Sequence, residues 1–175
     1  EYVGRSKAVD VIEKSRRKGE DILKDNTELA QIFDKIKTIP GFADIVANET
    51  EIGSMIYAKK PGDGSAREQA ASCQRVIGGL ANIAKEYATK RYRSNVMNWG
   101  MLPFLLDSEP DFEVGDYIFV PNIKKHLRGD MSKIPAYIIG ENIKEISLSI
   151  AEMTDAEKSI VEAGSLINYN KSKIK

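Results

Sequence analysis

Ile52-Gly53-Ser54-Met55-Ile56-Tyr57-Ala58, then Lys59-Lys60-Pro61-Gly62-Asp63-Gly64-Ser65, then Ala66 to Val76, Gly78-Gly79 and Leu80 to Ala84, is the stretch that decides the fold. The first seven residues are a short apolar run of strand length. A loop of small and turn-forming residues follows. Ala66 to Val76 has helical composition, and Gly78-Gly79 stops it. Leu80 to Ala84 is a second short apolar run, Tyr87 to Met97 a second helix, and Gly100-Met101-Leu102-Pro103-Phe104 a third entry into a sheet. Strand, helix, strand, helix, strand is parallel βαβ construction.

The flanks differ from this centre. Upstream, Ala8, Val9, Val11 and Ile12 begin an apolar stripe that Ile22 and Leu23 continue. Leu29, Ile32, Phe33 and Ile36 then show the three-four spacing of an amphipathic helix, opened by Asn26-Thr27 and stopped by Pro40-Gly41. Downstream, Phe112 to Val120 reads as a strand interrupted at Gly115-Asp116. Ala136 to Ile139 and Ile143 to Ile150 pair as a hairpin across Gly140-Glu141-Asn142. Thr154-Asp155-Ala156-Glu157 has capping-box spacing and predicts a last helix running to about Leu166. Parallel units followed by antiparallel strands give a layered, mixed α/β domain over residues 46–175, with a helical extension over residues 1–45.

Composition removes several classes of function. The chain has 175 residues, 26 Lys and Arg against 26 Asp and Glu, one His and one Cys. Zero net charge withholds the long-range field of a general DNA binder or a membrane-surface binder. No apolar run is long enough to span a bilayer. Glu1-Tyr2-Val3-Gly4-Arg5 lacks the apolar core of a secretory signal, so a cytoplasmic setting is expected. The absence of an initiating Met points to a piece of a longer protein. Cys73 alone cannot form an internal disulfide, a zinc site or a cluster site, and one His removes a multi-histidine metal centre. Chemistry must therefore run on hydroxyl, guanidinium, carboxylate and backbone groups, or be shared with another module.

The loop Gly62-Asp63-Gly64-Ser65-Ala66-Arg67-Glu68 sits where a strand hands over to a helix. Its glycines permit positive φ and close approach of a ligand. The first amides of the helix have no intrahelical acceptor and can bind an anion. Ser65 lies at that end, and Arg67 offers a planar fork for a carboxylate. The plainer alternative is a turn and an N-cap, with Glu68 completing a capping box from Ser65. The loop is neither a P-loop nor a dinucleotide fingerprint, since it lacks the Gly-Lys-Ser/Thr ending and the third glycine.

Gly64-Ser65-Ala66-Arg67-Glu68-Gln69-Ala70-Ala71, Gly78-Gly79, Ile83-Ala84-Lys85-Glu86-Tyr87-Ala88, and Asn95 with Gly100-Met101-Leu102-Pro103 together resemble the C-terminal swivel domain of the aconitase and isopropylmalate isomerase superfamily. The likeness covers residues 50–106 in order and looks most like an uncharacterised aconitase-like hydratase. It implies a three-layer β/β/α swivel domain and a hydro-lyase acting on a small hydroxy-carboxylic acid. It also implies a [4Fe-4S] cluster in the full-length protein, carried by missing N-terminal domains and not bound by this chain. By that likeness Ser65 is the catalytic base, Arg67 binds a substrate carboxylate, and Gly64 and Ala66 line the substrate.

Physical chemistry is compatible with those roles, because helix-terminal amides and a guanidinium can stabilise a serine alkoxide. Two departures leave the substrate open: Ala66 stands where the family has a second Ser, and Gln69 where aconitases have His. Other classes stay in view. The same fold could serve as a non-catalytic carboxylate-binding module. Lys85, Lys90, Arg91 and Arg93 with Tyr87 and Tyr92 could form an RNA-binding face, although zero net charge argues for a solvated helix with its aromatics tucked inward. His126 reads as a surface residue, Cys73 as a small packed residue and Trp99 as core.

Overall fold

The structure is a computed structural model that describes residues 23, 24 and 26–174. The apolar stripe read at Ala8 to Ile22 lies outside the described residues. The described residues divide into two compact units, one formed by those up to 53 with 111–121 and 136–146, the other by 54–110, 122–135 and 147–174. The expected mixed α/β architecture is present, with one parallel and one antiparallel sheet of three strands each.

In the first unit, helix α1 (Thr27–Lys37) starts where Asn26 Oδ1 accepts the Leu29 amide at 3.0 Å. Its apolar stripe buries Leu29, Phe33 and Ile36. Ile36 joins Ile39 and Ile139 in a cluster edged by Phe42, Tyr117, Phe119 and Tyr137. Phe42 meets Phe119 edge-on with ring centroids 5.2 Å apart, an arrangement the ring quadrupoles favour. Phe119 and Tyr137 face each other across the antiparallel pair of β4 (Tyr117–Phe119) and β5 (Ile134–Ile139). Thus α1 packs with these strands. The strand expected over residues 112–120 is only three residues long, because Asp116 turns back to accept the Glu113 amide at 2.9 Å. Strand β6 (Ile143–Leu148) completes the sheet beside β5, as the hairpin reading requires.

The second unit holds the parallel sheet, β1 (Ser54–Ala58), β2 (Gly79–Ala84) and β3 (Leu102–Leu105), in the order β1-β2-β3. Central β2 is buried nearly throughout, which explains its unbroken apolar reading. Asn82 is its polar exception, 2% exposed. Pro103 is tolerated because β3 is an edge strand of this sheet. Helices α2 (Arg67–Val76) and α3 (Lys90–Asn98) make the crossovers, with Ala71, Tyr92, Val96 and Met101 as their shared core. Helix α3 begins three residues later than the sequence suggests, because Thr89 rather than Tyr87 starts it.

Two short helices were not foreseen. Helix α4 (Ile123–Arg128) follows Asn122 in the left-handed conformation, φ 53°. The last helical stretch is two helices, α5 (Asp155–Glu162) and α6 (Leu166–Lys173). The break falls at Gly164, φ 79°, and Ser165 caps α6 anew. Gly100, φ 71°, lies so close to the Gly164 backbone that a Cβ there would collide with it. Among the described residues no helix is long and apolar enough to cross a membrane.

Candidate functional site

The three strands of the parallel sheet point the same way, so their carboxyl ends share one edge. Loops leaving that edge are where open α/β sheets form clefts. The loop after β1 carries Gly62 to Arg67, and the loop after β2 lies alongside it. Two backbone bonds join them: the Glu86 amide donates to Lys59 O at 3.1 Å and the Ala88 amide to Pro61 O at 2.9 Å. The Lys60 ammonium and the Glu86 carboxylate, 2.8 Å apart, add an exposed ion pair. That hydrogen bond raises Lys60 above the ordinary lysine range.

Gly62 is the pivot of the first loop. Its φ is 96°, and a Cβ there would run into the Tyr92 side chain, so only glycine fits. Its carbonyl accepts from Arg67 Nε at 3.2 Å and from Thr89 Oγ1 at 3.2 Å. The Arg67 fork is thereby fixed through one edge, while its two terminal nitrogens have no hydrogen bond to the described residues. Arg67 is half-buried and Ser65 is exposed.

Helix α2 begins without a side-chain cap. Ala66 is its N-cap residue, and the first intrahelical bond of the series is Ala70 N to Ala66 O. The amides of Arg67, Glu68 and Gln69 therefore lack intrahelical acceptors beside Ser65. The capping box from Ser65 to Glu68 is not formed. Glu68 instead accepts the Trp99 indole N–H at 3.1 Å, on the neighbouring helix end. Trp99 is thus only partly core. Gly64 is exposed with open space around its α-carbon. The structure brings Gly64, Ser65, Ala66 and Arg67 to one helix end, which leaves amides, a hydroxyl and a guanidinium for an anion.

Behind the loop stands a buried polar cluster that the sequence reading missed. Tyr92 is 2% exposed, and its hydroxyl oxygen accepts from Gln74 Nε2 at 2.8 Å and Asn82 Nδ2 at 2.9 Å. Tyr87 donates its hydroxyl to Phe104 O at 3.2 Å, spanning toward β3, and burial pushes its pKa well above the usual tyrosine range. Both aromatics of the suspected RNA face are therefore turned inward. Arg93 donates to Ala151 O and Glu152 O, at 2.8 and 3.0 Å. Lys85 lies 3.6 Å from Glu109.

Cys73 is a correction: it is exposed on α2, not packed. His126 is half-buried, with Nδ1 3.2 Å from Asp130 O. Among the described residues no group of three or more His, Cys, Asp or Glu side chains could hold a metal ion.

One parallel and one antiparallel sheet, with helical crossovers in the first, place the chain among mixed α/β proteins and match the architecture of a swivel domain. Residues 42–109 match the aconitase C-terminal domain. A solved structure of a 3-isopropylmalate dehydratase from Methanocaldococcus jannaschii has the same fold, with a TM-score of 0.54 and 28% sequence identity. The match covers 76% of this chain and 74% of that one. No curated protein sequence matches significantly. Over residues 42–109 the chain thus resembles the aconitase C-terminal domain, and it folds like that 3-isopropylmalate dehydratase.

Proposed function

We propose that this chain supplies the serine base and the arginine carboxylate clamp of an aconitase-like hydro-lyase acting on a small hydroxy-carboxylic acid. The observation that carries this reading is the uncapped start of α2, with Ser65 exposed beside three open amides and Arg67 held by one edge only. Arg67 takes the substrate carboxylate with its terminal nitrogens. That contact places the carbon α to the carboxylate near Ser65. The Ser65 oxygen, as alkoxide, removes the proton from that carbon and becomes a neutral hydroxyl. The helix-end amides and the guanidinium stabilise the negative charge before transfer, in a site whose donors are already oriented.

The [4Fe-4S] cluster that the family resemblance implies does not fit the described residues. One exposed cysteine in mid-helix supplies at most one ligand, and such clusters take several. We assign the cluster to other domains of the full protein or its partners, and no step here depends on it. The inward-turned Tyr87 and Tyr92 support a small-acid site over an RNA face, since single strands need exposed aromatic platforms.

Turnover by the complete, cluster-bearing protein tests the reading. Ser65→Ala is expected to lower kcat by about 10²–10⁴-fold with KM little changed, the usual scale for a lost proton-transfer group. Arg67→Ala should raise KM. The isolated chain should show no dehydration of its own. A Ser65→Ala enzyme as fast as wild type contradicts the assignment.

A further inference from the structure

We propose that Thr89 is a positioning residue for Arg67: its hydroxyl sets the Gly62 carbonyl on which the guanidinium is anchored. This rests on the reading of Arg67 as a carboxylate clamp. The loop after β2 lies along the loop after β1 through Glu86 N to Lys59 O, then Ala88 N to Pro61 O. Thr89 Oγ1 to Gly62 O is the next rung, made by a side chain. The same oxygen accepts the Tyr92 amide at 3.2 Å and so caps α3. A threonine hydroxyl has one proton, and here it is committed to Gly62.

Gly62 is therefore held from three sides. Thr89 fixes its carbonyl, the Tyr92 side chain blocks its α-carbon, and Arg67 Nε takes the second lone pair of the same oxygen. Tyr92 is itself immobilised by Gln74 and Asn82 from below. Arg67 makes no other hydrogen bond to the described residues, so the aim of its fork follows the orientation of the Gly62 peptide. Without the Thr89 proton that peptide loses one of its two carbonyl donors, and the fork loses its reference.

Titration of the full chain with L-malate, followed by amide NMR, reads this directly. Thr89→Ser and Thr89→Asn keep a cap and a donor and should bind malate as wild type does. Thr89→Val loses both and Thr89→Asp keeps only the cap. Each should weaken binding about tenfold, the scale of one hydrogen bond to an oriented site. In an Arg67→Ala background Thr89→Val should make no further difference.

If Thr89→Val does not fold, the contrast of Asp with Asn carries the same test. Wild-type affinity in Thr89→Val and in Thr89→Asp, with binding weakened by Arg67→Ala, overturns the positioning role and leaves the clamp intact. A Thr89 effect that persists without Arg67 also overturns it. Malate binding that is absent, or indifferent to Arg67→Ala, removes the clamp itself and the inference with it.

Discussion

Helices α2 and α5 begin in opposite ways within the same unit. At α5, Thr154 Oγ1 accepts the Glu157 amide at 3.2 Å and Glu157 reaches back to the Thr154 amide at 2.8 Å, a closed capping box. At α2 the capping position holds Ala66, and no side chain closes the first turn. The first helix end is built for stability. The second forgoes about 1 kcal/mol of capping and leaves its amides free for an anion. Proteins tend to break a local rule where a site needs it broken, and on the proposed reading Ala66 is such a place.

The largest expected effect on stability comes from the loop that holds the open end. Gly62→Ala should destabilise the protein by about 2–3 kcal/mol, because a positive φ and a collision with Tyr92 add together. Urea denaturation measures it. A loss below half that would mean the loop shifts freely and does not fix Arg67.

Next come substitutions that exchange the two helix ends. Ala66→Asp should stabilise by about 0.5–1 kcal/mol through a new cap and weaken malate binding at least about tenfold, since a carboxylate would occupy the open amides. Thr154→Ala should cost about 1 kcal/mol and leave binding unchanged. Thermal denaturation paired with NMR titration separates the two cases.

The smallest effect is electrostatic and lies along α5. Arg128 Nε donates to Glu162 Oε1 at 2.8 Å, and Arg128 also meets the second carboxylate oxygen. This partner holds the Glu162 carboxyl below its ordinary value of 4.5. A depressed carboxylate pKa contributes stability that is full above 4.5 and lost as pH falls through the lower, folded value. The pair is solvent-screened, so its contribution is small. Melting curves of Arg128→Ala should lose this acid-side fall and match wild type less closely at neutral pH than at low pH.

The sequence made the parallel sheet legible because each strand is short, apolar and punctuated by glycine, and because the crossover helices have clear ends. It also revealed the capping box at Thr154 and the loop that hands β1 over to α2. Contacts distant in sequence stayed hidden. Glu68 has capping-box spacing from Ser65, and nothing local shows that Trp99, 31 residues on, takes its carboxylate. The need for glycine at 62 depends on Tyr92, 30 residues on, which reads as an inward aromatic of a helix with nothing local to set it against this loop. Thr89 was the one available signal for the buried support, since a threonine before Lys90 is an N-cap pattern. The break at Gly164-Ser165 was missed because the apolar spacing continues across it.

The central claim is that the open start of α2 is a carboxylate site aimed by Arg67. Amide NMR of the full chain titrated with L-malate tests it most directly. The account predicts saturable shifts concentrated at Ser65, Arg67, Glu68 and Gln69, moved to much higher malate concentration by Arg67→Ala and preserved in Thr154→Ala. Shifts spread over the surface, or an unchanged response in Arg67→Ala, would contradict it.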